Sequence, residues 1–547
     1  MNALSLLLSL SLGVPATAGT VDDDVVMRAM RDELARTTTM KLPDSPAPYW
    51  ASVNVFDSRD AVAVAKFGAL VDTEISRARV VSPRVRVGDF GLDAVGVPML
   101  DQPPLVTFED DYDALRHALW RFGDSAYKMA ATGFREAQTE QAQRTVDPDR
   151  PASFGTATPA VTLGLVTPVE LDVARIEALA KRISGVFREH EHIQDCEVTV
   201  WAHDGLRRYV ATDGGAARDG NRGLTIVIEA TTQADDGEVL GARVVRIGGL
   251  GDFSDEASLI ADAERIAADL AALRKAPLVR DYAGPVLLEP EAAADLLTMV
   301  IGNELISAGR WSTDIEAKLG QVVLPRGMSV VDDPGLTSFG GKPMLGGYRV
   351  DDEGTPAQRV ELVVDGKLQT LLAGRTPGKK VKQSNGHARS GPFAMELRPS
   401  VSNLVISTKK GLGAAAMEKK LLSLVRARGM EHGIVIARGS GMGRGMMAYR
   451  IGKDGKRELV RLGFMRPPEM TKLRELAAVG KELAVVHHMQ IGGHPFEPSG
   501  APAELSAFAS PMSVAAPAIL LDDAEIHAWG DSHPKPPSYP KPALRKR

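Results

Sequence analysis

The chain has 547 residues but only one cysteine, Cys196, and only 5% aromatic residues. A single thiol cannot close an internal disulfide, and no CxxC pair is present to hold zinc or carry redox chemistry. Cys196 is read as a small buried side chain. An excess of charge of either sign is also lacking. The 65 Lys and Arg face 70 Asp and Glu, for a net charge of -5. That balance lacks the basic footprint of a nucleic-acid binder. After the first twenty residues no run of ~18 apolar residues occurs, so no membrane-spanning helix is expected. Neither HExxH nor a P-loop pattern is found.

What is present is an ordinary globular composition, 44% hydrophobic and 25% charged, enough for two or three domains. The N-terminus, MNALSLLLSLSLGVPATAGT, has an apolar run from Ala3 to Val14 followed by Ala16-Thr17-Ala18. This is the pattern of a secretory leader cleaved after Ala18, although its first residues carry no Lys or Arg. An exported protein, periplasmic or extracellular, is expected. Residues 532–547 are Pro-rich and basic and are expected to be extended.

An α+β fold is expected, with an N-terminal α/β domain over 19–278 and a β-rich domain over 279–531. Strands are read at 48–57, 62–73 and 84–93 from alternation and β-branched content. Helical periods cover 23–36, 109–142, 168–190 and 255–277. Residues 109–165 form a helical and linker excursion. In the second half strand-like runs dominate, and Asp365-Gly366 and Asp454-Gly455 mark hairpin turns. Residues 284–303, GPVLLEPEAAADLLTMVIGN, contain an apolar helix whose Leu296, Leu297, Val300, Ile301 and Leu305 are expected to bury against the C-terminal sheet.

YRVDDEGTPAQRVELVVDGKLQTLL (348–372), SNGHAR (384–389), PSVSNLVI (399–406) and HGIVIARGSGMGRGMMAYRIGKDGKRELVRLGFM (432–465) occur in that order. Together they resemble the TldD/PmbA (TldE) family of metallopeptidase-related proteins, once called modulators of DNA gyrase. RVRVGDFGLD at 84–93 resembles an early strand of that family. The resemblance implies an α/β domain followed by antiparallel sheet, and a dimer enclosing a chamber for unfolded peptide. In active members it implies a helix carrying HExxxH, whose two His hold a divalent metal and whose Glu polarises water, with a distal Cys as a further ligand. On this helix Thr298 stands at the first His, Met299 at the Glu, Gly302 at a Gly and Asn303 at the second His. A hydroxyl, a thioether and an amide do not replace that ligand set. The expectation is therefore no catalytic residue, no metal and no cofactor of its own. The chain would act as a non-catalytic peptide-binding or partner subunit, either a homodimer or a heterodimer with a homologue that has HExxxH.

Other residues offer alternatives. Asn385, His387 and Arg389, with Asn403 in the next block, are candidate peptide contacts; Asn385 and His387 could equally cap a strand. His487, His488 and His494 form the densest imidazole cluster. They, or Asp351, Asp352 and Glu353, would bind zinc or another divalent ion if the protein were an active metallopeptidase with a non-standard site. Otherwise the three carboxylates, like Asp332 and Asp333, read as solvated turns. The Gly-dense 439–445 is a flexible loop, and His190 and His192 cap a helix end. A third reading is a non-enzymatic envelope-binding protein anchored by the basic tail.

Overall fold

The computed structural model describes residues 20–97, 105–143, 149–251, 256–302, 304–307, 314–389, 397–439, 446–491, 494–496 and 509–527. The expected leader, Asn303 and the basic tail lie outside them, as does nearly all of the Gly-dense loop.

The N-terminal half is one strongly extended sheet with strands β1 (Pro48–Lys66), β2 (Ala69–Gly88), β3 (Asp93–Gly96), β4 (Val161–Leu163), β5 (Asp195–Ala211), β6 (Ala216–Gln233) and β7 (Val239–Gly248). Among the described residues their order is β3-β2-β1-β5-β6-β4, with β7 also on β6. The pairings are antiparallel except β4 with β6. The expected strand at 62–73 is interrupted. Phe67 and Gly68 take positive φ of 47° and 76°, so β1 turns there into β2. A two-residue turn of that hand matches strand twist, and apolar alternation alone does not reveal it.

Side chains two apart on β1 share a face. Ala51, Val53 and Val55 pack under helices α1 (Val25–Thr37) and α2 (Tyr112–Gln143). Ala61, Ala63 and Ala65 pack under α3 (Val173–Gly185) and α4 (Glu256–Leu273). The face thus carries two helix pairs with a gap over residues 57–59. Cys196 is buried in the second core, as expected.

The C-terminal half is built on a larger, mixed sheet centred on the strand Ser510–His527. Asp281–Leu288 and Ala478–Ile491 pair with it antiparallel, and Asn403–Thr408 pairs parallel. Asp365 and Gly366 turn with positive φ, as their sequence predicts. Helix α5 (Pro290–Gly302) follows the strand Asp281–Leu288. Proline at its first position has no N–H to leave unpaired, and Glu291 complements the positive end of the helix. Ala292, Ala293, Leu296, Leu297, Val300 and Ile301 are buried in the largest core. Helix α6 (Ala414–Ala427) covers part of the other face. No helix among the described residues is long and apolar enough to cross a membrane.

Candidate functional site

Two places in the C-terminal half carry the residues singled out by sequence. The first is the far end of α5. Thr298 is buried, and its hydroxyl donates to the carbonyl of Ala294 one turn earlier, at 2.7 Å. That bond closes the hydroxyl back onto its own helix. Met299 is half-buried. Asp295, one turn before Met299, has a carboxylate oxygen 3.5 Å from Nε2 of His488 on the strand Ala478–Ile491.

His487 and His488 are neighbours on that strand and so point to opposite faces. His487 turns to Ser513, with Nδ1 2.9 Å from Oγ. Burial pushes its pKa down to about 4, aided by the adjacent His488. The side chain of His494 lies outside the described residues. The imidazoles are therefore not gathered around one point. Among the described residues no three His, Cys, Asp or Glu side chains converge as a metal site.

A zinc-like ion takes imidazole, thiolate or carboxylate donors, usually three or four together. Here the α5 surface offers a back-bonded hydroxyl, a thioether and, nearby, one carboxylate facing one imidazole. The described residues do not fit such an ion.

The second place is the acidic loop 351–355. Its sequence reads as a solvated turn, but Asp351, Asp352 and Glu353 are all nearly inaccessible. The reason is local hydrogen bonding followed by docking. Asp351 Oδ1 accepts from the backbone N–H groups of Glu353 (2.9 Å) and Thr355 (2.8 Å), and Oδ2 accepts from Ala388 N–H (3.1 Å). Gly354 has φ of 78°, and a Cβ there would lie 2.5 Å from the ring of Tyr209. Only glycine lets the loop close against that ring.

The ring belongs to β5, in the other half of the chain. Tyr209 Oη donates to Glu353 O at 2.9 Å, and Asn54 Nδ2 donates to Asp352 O at 3.1 Å. Arg207 reaches Asp352 Oδ1 and Val350 O, both at 2.7 Å, and Asp351 O at 3.0 Å. It also pairs with Asp219 at 2.8 Å. Arg375 pairs in turn with Asp213 at 2.8 Å and donates to Gly155 O. The acidic loop is thus a plug that joins the two halves. Among the described residues no cation is hydrogen-bonded to Asp351, which lies beside two other carboxylates. Burial first, then the charge of Glu353, pushes its pKa up to about 7. Burial likewise raises Glu353. Asp332 is buried too, contrary to the solvated reading, and receives Ser402 N–H at 3.0 Å.

The four candidate peptide contacts lie around this plug. His387 is wholly buried, with Nε2 3.1 Å from Asp332 Oδ1 and Nδ1 3.0 Å from Asn385 O. Both ring nitrogens face acceptors, so each is placed to donate. Asn385 accepts from Ala373 N–H and donates to Leu371 O. Asn403 accepts from Gly346 N–H and donates to Leu336 O. These three side chains thus bind their own chain. Arg389 is half-buried; it lies over the Tyr348 ring and 3.4 Å from Asp352. Sequence reasoning missed Arg207, Tyr209, Asn54 and Arg375. The one available signal was the pair Arg207-Arg208 set between Leu206 and the apolar Tyr209-Val210-Ala211.

The fold, a helix-covered and mostly antiparallel sheet joined to a mixed sheet with a buried helix, is similar to that of TldE. The structure of TldE from Thermococcus kodakarensis superposes with a TM-score of 0.59 at 13% identity, covering 91% of this chain and 100% of that one. Residues 281–528 match the PmbA/TldA metallopeptidase C-terminal domain. That part of the chain is thus a PmbA/TldD family domain. Two archaeal proteins named metalloprotease are also similar. One, from Archaeoglobus fulgidus, is 34% identical over 79 residues, and one from Methanothermobacter thermautotrophicus is 30% identical over 110. The matched stretches are 14% and 19% of this chain and span only 17% and 22% of those relatives.

Proposed function

We propose that this protein is a peptidase-related subunit that has lost the metal site of its family and acts by binding peptide, alone or paired with a catalytic homologue. The observation that carries this is Thr298. At the helix position where an ion-binding relative would present an imidazole, the hydroxyl is buried and bonded to Ala294 O. No water can be activated there without the ion's charge. Helix α5 then serves as a packed wall, which its buried leucines alone suffice to hold. The leader-like N-terminus supports export as part of the same proposal.

The test is elemental analysis of the purified full chain, with peptide hydrolysis measured with and without chelator. The expected result is no stoichiometric divalent metal and no chelator-sensitive cleavage. Stoichiometric zinc whose removal abolishes cleavage refutes the reading. Co-purification from the native source separates a homodimer from a pair with an HExxxH homologue, and N-terminal sequencing tests export.

One observation favours a second reading, an active metallopeptidase with a non-standard site. The Asp295 carboxylate and the His488 imidazole face each other across 3.5 Å, which is two donors of the right type. In that case zinc would be retained by the wild-type protein and lost in His488→Gln.

A further inference from the structure

Strand β1 places Arg59 directly opposite Arg77 of β2. Directly paired residues share a face, and like charges so placed destabilise a sheet. The face is the one bearing both helix pairs, and residue 59 falls in the gap between them. Phe108 lies over the site, with its ring centre 5.5 Å from the Arg59 guanidinium, 4.8 Å from that of Arg77 and 5.3 Å from that of Arg79.

Counter-charges nearby are already engaged. Asp57 is held by Arg79 and Arg208, and Asp110 by Arg79. Asp204, opposite Arg59 on β5, accepts from Arg222 and from Val169 N–H. Arg59 and Arg77 make no ion pair among the described residues. Stacking on Phe108 offsets part of their repulsion but supplies no acceptor for their N–H groups.

We propose that Arg59 and Arg77 form a clamp for a carboxylate of an extended peptide. Two guanidiniums beside one ring suit a planar oxyanion, with charge-assisted bonds from both. The adjoining edge of β2 is why the oxyanion is assigned to a peptide. Arg79 O accepts from Val106 N–H at 3.0 Å, and Thr73 N–H turns to Asp72 Oδ1 at 2.9 Å rather than to β1. Ladder bonds alternate along a strand, so the main-chain groups of Ile75 and Arg77 also point away from β1. No strand among the described residues meets them. Val71 and Ile75 are 59% and 68% exposed along the same edge. An added strand there would continue the line begun by Val106 and pass Arg77. The clamp rests on the peptide-binding reading above and names the substrate chemistry it selects.

The test is calorimetric titration of the full chain with three acetylated Thr/Val hexapeptides. One has a free C-terminal carboxylate, one is amidated, and one is amidated with a single internal Glu. Wild type is expected to bind at least one of the carboxylate-bearing peptides about tenfold more tightly than the neutral amide. Which of the two is favoured separates a chain terminus from an acidic side chain. Arg77→Gln and Arg59→Gln are each expected to bring that preference close to parity, with a melting temperature unchanged or raised because the like-charge pair is gone. Equal binding of all three peptides to wild type, or a preference that survives both substitutions, overturns the clamp while leaving the peptide-binding reading intact. No binding of any of the three overturns both.

Discussion

Helix α5 and the acidic loop 351–355 lie in the same half of the chain and are both buried, yet they are stabilised by opposite means. The helix fills a core with Ala, Leu, Val and Ile, and its one deeply buried hydroxyl bonds to its own backbone. The loop buries three carboxylates and depends on each lone pair finding a donor, one of them on a guanidinium from the other half of the chain. Apolar burial tolerates substitution in proportion to volume lost. A buried polar network does not, because removing one member leaves another unpaired. On the proposed reading the metal chemistry has been lost from the tolerant element, while the demanding element keeps its partners.

The sharpest way to break this contrast is Arg207→Ala. Its guanidinium contacts Asp352, Val350 O, Asp351 O and Asp219, and its loss strands a buried carboxylate. A destabilisation of about 3–5 kcal/mol is expected by chemical denaturation, with contact between the halves lost first. A loss under about 1 kcal/mol would mean the plug is not what joins them. Leu297→Ala on α5, where the side chain is fully buried, should cost about 3 kcal/mol through a cavity, and should leave docking of the loop untouched.

Acidity should move the two regions in opposite directions. Asp351 is raised from 3.8 to about 7, so between those values the folded chain holds a proton that the unfolded chain has released. Its contribution is fully present below pH ~4 and is lost as pH rises to ~7. His487, on the strand that packs against α5, is lowered from 6.5 to about 4, so the unfolded chain takes up a proton first. Its contribution is present above pH ~6.5 and is lost as pH falls to ~4. The wild-type profile between pH 4 and 6.5 is the sum of these opposed slopes. Asp351→Asn is expected to leave a stability that rises with pH across that window, and His487→Gln one that falls. Two parallel profiles would show that neither group titrates as its surroundings imply.

What was legible in the sequence follows the same division. Helix α5 was readable because apolar spacing reports burial directly, and Pro290 marks its start. The turn at Asp365-Gly366 was readable because that dipeptide fits the backbone it demands. The loop was not. Asp351, Asp352 and Glu353 next to a glycine have the composition of a solvated turn, and their partners stand some 145 positions earlier, at Arg207 and Tyr209. Nothing local distinguishes a carboxylate that meets water from one that meets a distant guanidinium. The turn inside the expected strand 62–73 was hidden for a related reason: Phe67 continues the apolar pattern across the very residues where the chain reverses.

The smallest expected effect bears most directly on function. Thr298→Val keeps the volume and removes only the bond to Ala294 O, whose carbonyl remains available to the helix ladder. The change in stability should be under about 1 kcal/mol, since an intrahelical hydroxyl bond of this kind contributes little net. If the α5 surface holds no ion, peptide binding and metal content should also be unaltered, because valine removes only the side-chain oxygen of Thr298. If instead Thr298 contributes a ligand, the same substitution would lower metal content at saturating zinc while the melting temperature of the metal-free protein stays put. A purely structural hydroxyl cannot produce that split. The measurement therefore separates a helix that has become a wall from one that still grips an ion by unfamiliar donors.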